Sequence, residues 1–250
     1  MAGKALGEHT WTEIAESAGD TVIAIPVGST EQHGPHLPLG TDTDIASELC
    51  RRLASRRADV MVAPAVCYTS SGEHAGFPGT LSIGNDALES LLVELGRSAD
   101  AFAGILFVSA HGGNRFALQR AVRILVDESR PAKAWYVPSP PGGDAHAGHV
   151  ETSVMMAISP WAARPTPPAQ DGCTADLGEL IGVLRRSGVR AVSPNGVLGD
   201  PSGASPEEGE RLLEFWSGNL EDSLRRWPPP RSANLGGLDE KSESKQGPGL

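Results

Sequence analysis

Four short apolar runs punctuate the first two-thirds of the chain: Val22 to Val27, Val60 to Val66, Ile105 to Val108 and Ala134 to Val137. Each has the length and unbroken hydrophobicity of a strand covered on both faces, where alternation is erased because neither face meets water. Between these runs the apolar period changes. Ile45 to Arg57 reads as one helix; Leu88, Leu91, Leu92, Leu95, Ala99 and Phe102 recur at helical spacing in a second, and Leu118, Ala121, Val122 and Leu125 in a third. Strands and helices thus alternate, and parallel strands need long crossovers of this kind. The pattern predicts an α/β fold, a three-layer α/β/α arrangement with a mostly parallel central sheet. No internal repeat is visible.

After about Pro160 the pattern loosens into the Pro/Thr-rich stretch ARPTPPAQDGC, then a helix near Leu177 to Arg186 and a Gly/Pro/Ser-rich loop from Ser193 to Pro206. Leu213, Trp216, Leu220 and Leu224 mark a final amphipathic helix, which Pro228-Pro229-Pro230 stops. A single domain over 1–227 is expected. The remaining 228–250 have too few apolar groups to offset the entropy of ordering them, and read as a disordered tail.

Composition narrows the partners. The 250 residues carry 31 Asp and Glu against 21 Lys and Arg, a formal charge of −10 that repels phosphate backbones and anionic lipid headgroups. The tail's charges cancel, so the acidic excess lies in the body, and neither nucleic acid nor membrane is an expected partner. With 30 Gly and 20 Pro, the chain holds more fixed turns than a helical bundle would carry. Three scattered cysteines, Cys50, Cys67 and Cys173, make neither a disulfide framework nor a thiolate metal knot. No basic start precedes an apolar core at the N-terminus, and no run is long enough to span a bilayer; a cytoplasmic location is expected.

The chemistry lies in the loops that follow the predicted strands, where doubly wound folds bind ligands. Six of the seven histidines are there: His33 and His36 after the first strand, His74 after the second, His111 after the third, His146 and His149 after the fourth. Histidine and carboxylate are ligands that zinc, manganese and iron all accept, so a metal cluster is the economical reading. Glu31 and His33, two apart, share a face of an extended segment and can bind adjacent ions. Asp42 returns after a Gly/Pro-rich bend, with two oxygens able to bridge two ions. His111, followed by two glycines, is placed to complete a site. Blander readings exist for single members. Asp42 or, better placed, Asp44 would serve as N-cap of the helix near Ile45; His146 and His149 would cap a helix near Val150; Glu73 and His74 would shape the pocket without touching metal. Four Gly-flanked acid/His loops after four successive strands favour the metal reading.

The string Gly28-Ser29-Thr30-Glu31-Gln32-His33-Gly34-Pro35-His36-Leu37-Pro38-Leu39-Gly40-Thr41-Asp42, with His111-Gly112-Gly113-Asn114 and His146-Ala147-Gly148-x-x-Glu151-Thr152-Ser153, resembles the creatininase (creatinine amidohydrolase) family from about Thr21 to Leu224. The resemblance implies an α/β/α dinuclear metallohydrolase that opens amides, working in the cytoplasm as a homo-oligomer, a hexamer or similar. It implies two divalent ions per chain (Zn, Fe(II) or Mn), with Glu31, His33, Asp42 and His111 as ligands and Asp42 as the bridge. Creatininase proper carries an acidic ligand two residues after the histidine matching His111; here that position is Gly113, and Glu151 is the candidate replacement. Glu73-His74 before Phe77-Pro78-Gly79-Thr80, and Gly196-Val197-Leu198-Gly199-Asp200-Pro201, are more similar to the family's mycofactocin branch. That likeness implies a peptidase acting on a modified precursor peptide, which it cuts to release a crosslinked C-terminal Val-Tyr dipeptide.

Two ions would supply a nucleophile at neutral pH by acidifying water. His146 is the expected proton shuttle to the departing amine, and Glu151 is ligand or base, with both roles open. Creatinine or another small amide or lactam is the alternative substrate, and a non-catalytic metal-binding subunit is the alternative class. Ser29 and Ser109 lack a nucleophile elbow, and Cys50 and Cys67 read as buried thiols.

Overall fold

The computed structural model describes residues 5–140, 142–161, 172–225 and 227, so the tail expected at 228–250 and most of the Pro/Thr-rich connection lie outside the described residues. The elements run α1 (Trp11–Ala15), β1 (Val22–Val27), α2 (Thr41–Arg56), β2 (Val60–Val62), α3 (Asn85–Ser98), β3 (Gly104–Ser109), α4 (Arg115–Asp127), β4 (Ala132–Tyr136), α5 (His149–Ile158), α6 (Leu177–Ser187) and α7 (Pro206–Ser223). The four strands form one parallel sheet in the order β2-β1-β3-β4.

Every residue of β1 and β3 is buried. Their period-2 alternation divides two apolar layers. Val22, Ala24, Leu106 and Val108 face the layer holding Leu49 and Leu53 of α2, Met155 of α5 and Leu213 and Trp216 of α7. Ile23, Ile25, Val27, Ile105 and Phe107 face the other, with Leu88 and Leu92 of α3 and Leu118 and Leu125 of α4. Helices therefore cover both faces of the sheet, as the unbroken apolar runs predict.

Several boundaries differ from the sequence reading: α3 stops at Ser98, before Ala99 and Phe102, β4 runs Ala132–Tyr136, and two further differences bear on the site. The second strand ends at Val62, and Val66 returns as an isolated bridge to Val27. Ala63 N–H donates to Ala24 O at 2.9 Å and Val66 N–H to Pro26 O at 2.9 Å, one residue later than a regular ladder places it. Pro64, with no N–H to donate, sits in the interruption. Helix α2 starts at Thr41, four residues before Ile45, behind Gly40 as N-cap with no side-chain cap. Asp44 is therefore not the N-cap. It lies in the first turn, and so does Asp42, whose side chain faces inward.

In the sheet order, β1 has β2 on one side and β3 on the other, with connections leaving on opposite faces. Loops there diverge and open a crevice at the carboxyl ends of the strands. The loop after β1 and the loop after β3 flank that crevice.

Candidate metal centre

Local packing brings the β1 loop and α2 together. Ser29 Oγ donates to Asp42 Oδ2 at 2.8 Å, and Thr43 Oγ1 donates to Ser29 O at 2.8 Å. A β-carbon on Gly28 would lie 2.3 Å from Thr43 Cα, so only glycine lets the α2 backbone close onto β1 this tightly. Asn114, just before α4, ties in the other loops: its Nδ2 donates to Gly28 O at 2.8 Å, and its Oδ1 accepts from Ser70 N–H at 3.3 Å.

All six residues singled out from sequence converge in this crevice. Asp42 is flanked by two imidazoles, with Oδ1 3.2 Å from His33 Nε2 and Oδ2 3.1 Å from His111 Nδ1. Glu31 Oε2 lies 3.2 Å from His111 Nε2, and Glu31 Oε1 lies 3.9 Å from His146 Nδ1. Glu151 Oε2 is 3.9 Å from His33 Nε2 and 4.0 Å from His146 Nδ1, and accepts from Ala147 N–H at 2.5 Å. Donor atoms lie within 4.8 Å of one another in three groups: Glu31, Asp42 and His111; His33, Asp42 and Glu151; and Glu31, His33 and His146. The first two groups share only Asp42.

Both carboxylate oxygens of Glu31 are fully buried and accept no hydrogen bond. A buried carboxylate left this way is costly unless a cation satisfies it, so the donor set fits a divalent ion.

Electrostatics follow the same geometry. Burial works against the charge on Asp42, yet His33 and His111 hold its carboxyl well below the usual range. Burial likewise opposes the Glu31 charge, and His111 with His74 brings it to about 2. Burial also opposes a charged His33, but Asp42, Glu151 and Glu31 raise it to about 10. His111 is raised well above its ordinary value, burial being outweighed by Glu31 and Asp42. Burial pushes Glu151 up to about 7.

His146 departs from an imidazole titrating near neutrality: burial, then His33 and His74, push it well below its usual value. Its Nε2 lies 2.8 Å from Gln32 O and 3.0 Å from Gln32 Nε2, whose two hydrogens are directed to His74 Nδ1 and Gly196 O. A carbonyl only accepts, so the proton sits on Nε2, and the Nδ1 lone pair faces Glu31 and Glu151. His146 and His149 do not cap α5 with their side chains. Asp144 does so, accepting from His149 N–H and, at 3.3 Å, from Val150 N–H.

Three residues carry more than the sequence suggested. Gln32 Nε2 lies 2.9 Å from His74 Nδ1 and donates to Gly196 O at 3.1 Å, so Gln32 links the second-strand loop to the late Gly/Pro/Ser loop. Its place inside Glu31-x-His33 was the only available signal. His74 stands with Nε2 3.3 Å from Glu31 Oε1, and burial lowers it to about 4, which keeps it neutral. Glu73 brings Oε1 to 3.6 Å from His111 Nε2. A β-carbon on Gly113 would lie 2.4 Å from that same oxygen, so Glu73 fills the space over Gly113, while Glu151 sits with His33 and Asp42.

Fold and centre together define a doubly wound α/β protein with a candidate metal centre at its topological switch point. Residues 7–224 match the family model for creatininase, described as creatinine amidohydrolase, and the chain belongs to that family. It is 50% identical over 220 residues to the mycofactocin precursor peptide peptidase of Mycolicibacterium smegmatis, covering 86% of this chain and 88% of that protein. Identity to the protein of the same name from Mycobacterium tuberculosis is 45% over 234 residues, or 90% of this chain and 92% of that one. A solved structure named "Creatininase Mn" superposes with a TM-score of 0.73 at 25% identity, covering 91% of this chain and 100% of that chain. No helix among the described residues is long and apolar enough to cross a membrane.

Proposed function

We propose that this protein is a metal-dependent peptidase of the mycofactocin precursor peptide, cutting the modified peptide to release its crosslinked C-terminal Val-Tyr dipeptide. The observation that carries the reading is the donor cluster at the floor of an open cleft of about 1320 Å³. Pockets for drug-sized ligands usually measure roughly 300–1,000 Å³, so this cleft has room for a peptide chain. The 50% identity to a mycofactocin precursor peptide peptidase supports the substrate class.

In this reading Glu31, Asp42 and His111 would hold one divalent ion, and His33, Asp42 and Glu151 would hold a second, Asp42 belonging to both donor groups. Zn, Mn and Fe(II) all accept this donor set. Bound ions supply Lewis acidity, lowering the pKa of water and polarising an amide carbonyl. The remaining work belongs to the chain. Ser29 fixes Asp42 through its Oδ2, and Asn114 holds the loops in register. Gln32 O keeps the His146 proton on Nε2, leaving Nδ1 to accept a proton from the floor of the cleft. Passing that proton to the departing amine is the shuttle role assigned to His146. Glu151, whose carboxyl burial raises to about 7, would serve as a ligand in its charged form. The active form is proposed to be a cytoplasmic homo-oligomer, a hexamer or similar, and sedimentation analysis of the purified protein checks its size.

The test is mass spectrometry of the protein, loaded in turn with Zn, Mn and Fe(II), on the modified precursor peptide, with creatinine run alongside. Release of the terminal dipeptide, lost on chelation, is expected. An intact peptide together with ring-opened creatinine overturns the reading in favour of an ordinary creatininase. Asp42→Ala is expected to lose both bound metal and activity. His146→Ala is expected to retain metal while kcat falls by roughly 10²–10⁴.

A further inference from the structure

Arginines divide by location. Among the described residues, those on the outer surfaces are ion-paired: Arg52 to Glu48 and Glu210, Arg97 to Glu94 and Glu128, Arg130 to Asp100 and Glu128, and the others likewise. The exceptions are Arg115, Arg185, Arg186 and Arg190. Arg190 is committed elsewhere, donating to Gly76 O at 2.7 Å and lying over the Phe77 ring. The other three line the cleft.

Arg115 opens α4, one turn beyond His111, and its guanidinium is held over the Tyr136 ring at 4.5 Å. Arg185 and Arg186 end α6, which supplies another part of the cleft wall. All three are exposed. The carboxylates lining the same cleft are otherwise engaged. Glu31, Asp42 and Glu151 belong to the metal-ligand groups, Asp144 caps α5, and Glu73 stands beside His111. In a chain of net charge −10, three guanidiniums without a carboxylate partner line one cleft. Guanidinium matches a carboxylate in planar, bidentate geometry.

We infer that Arg115, Arg185 and Arg186 form a subsite for carboxylate groups of the peptide substrate, placing the chain across the cleft so that its scissile amide lies over the centre. The inference rests on the reading of the cleft as a peptide site. It adds a chemical preference to that reading: acidic peptides bind, and their amide counterparts bind weakly. The carboxylate comes either from Glu or Asp side chains or from the C-terminus, and the experiment separates these.

The measurement is fluorescence anisotropy with the full-length, metal-loaded His146→Ala protein, whose lowered turnover leaves the probe intact over the few minutes of a reading, as mass spectrometry of the probe afterwards checks. Three fluorescein-labelled peptides ending in Val-Tyr are compared: one with two Glu residues upstream, one with those Glu replaced by Gln, and one with Glu retained and the C-terminus amidated. The acidic peptide is expected to bind roughly tenfold tighter than at least one neutralised form, with affinity falling as salt rises. Loss with Gln assigns the subsite to side-chain carboxylates, and loss on amidation assigns it to the C-terminus. R185Q/R186Q, with R115Q added in a second variant, is expected to erase the preference, while R97Q on the outer surface keeps it. Equal affinity for all three peptides, no measurable binding, or a preference that survives the triple substitution overturns the inference. Cleavage of the modified precursor is scored separately on the wild-type protein: failure to cleave alongside an intact charge preference sinks the peptidase reading alone.

Discussion

Gly196 has φ +85°, in the left-handed region, and a β-carbon there would lie 1.8 Å from Gln32 Oε1. Two independent reasons therefore fix glycine, one in the backbone and one in the Gln32 side chain that packs against it. Gly196→Ala is expected to displace the Gln32 side chain from His74 Nδ1 and from His146 Nε2, which lie 2.9 and 3.0 Å from its Nε2. The strained backbone alone costs about 1–3 kcal/mol. A Tm lowered by about 2–12 °C, with kcat down at least about tenfold, is the expected result; wild-type kcat would show that Gln32 does not position His146. Gly113, in the centre itself, is fixed by crowding alone. Its β-carbon would also meet Ser70 O at 2.5 Å and His111 Nε2 at 2.4 Å, so Gly113→Ala is expected to shift His111 and lower the metal-to-protein ratio measured by elemental analysis. An unchanged ratio would mean that the loop yields without moving the ligand.

At the scale of elements, α5 and α7 meet through a glycine. A β-carbon on Gly209 would lie 2.0 Å from Ser153 O and 2.9 Å from Val154 N, both backbone atoms that cannot turn aside. Alanine gains about 1 kcal/mol of helix propensity over glycine, while overpacking a tight core costs about 1–3 kcal/mol and more against backbone. The clash wins: Gly209→Ala is expected to lose about 2 kcal/mol or more. Gly218, on the same helix, has nothing within 4 Å of its β-carbon, and Gly218→Ala is expected to gain up to about 1 kcal/mol. Chemical denaturation of both variants checks the pair, and equal effects would refute the packing argument. The elements themselves differed in how openly the sequence declared them. β1 and β3 were legible because burial on both faces leaves an unbroken apolar run. The first turn of α2 was not, because Thr41-Asp42-Thr43-Asp44 is wholly polar and its inward face carries a carboxylate instead of a hydrocarbon. Glu31, His33, Asp42, His111, His146 and Glu151 stood out as chemistry on Gly-flanked loops after strands. The place of Glu73 over Gly113 and of Gln32 against Gly196 depends on contacts between loops distant in sequence, which no local pattern encodes.

For the whole molecule, the proposed centre would couple metal binding to protons. In the metal-free protein Asp42 and Glu31 are charged, and the neighbouring imidazoles supply the compensating protons: His33 is raised to about 10 and His111 well above its usual value. A raised imidazole pKa contributes stability in full below its unfolded value near 6.5, and that contribution is lost as pH rises through about 10. A metal ion needs the same nitrogen lone pairs and must expel the protons held there. Loading both ions between pH 7 and 9 is therefore expected to release about two protons per chain from the imidazoles, with a further fraction from Glu151 at the acid end, where its carboxyl titrates near 7. Apparent affinity should rise about tenfold per pH unit for each proton expelled. Isothermal titration calorimetry in buffers of different ionisation enthalpy reads the proton count directly, and Asp42→Ala should reduce it, because His33 and His111 lose the carboxylate that holds their protons. Release near zero in the wild-type protein would mean that the imidazoles are already neutral before metal arrives, and the ionic pairing described for the metal-free centre would be wrong.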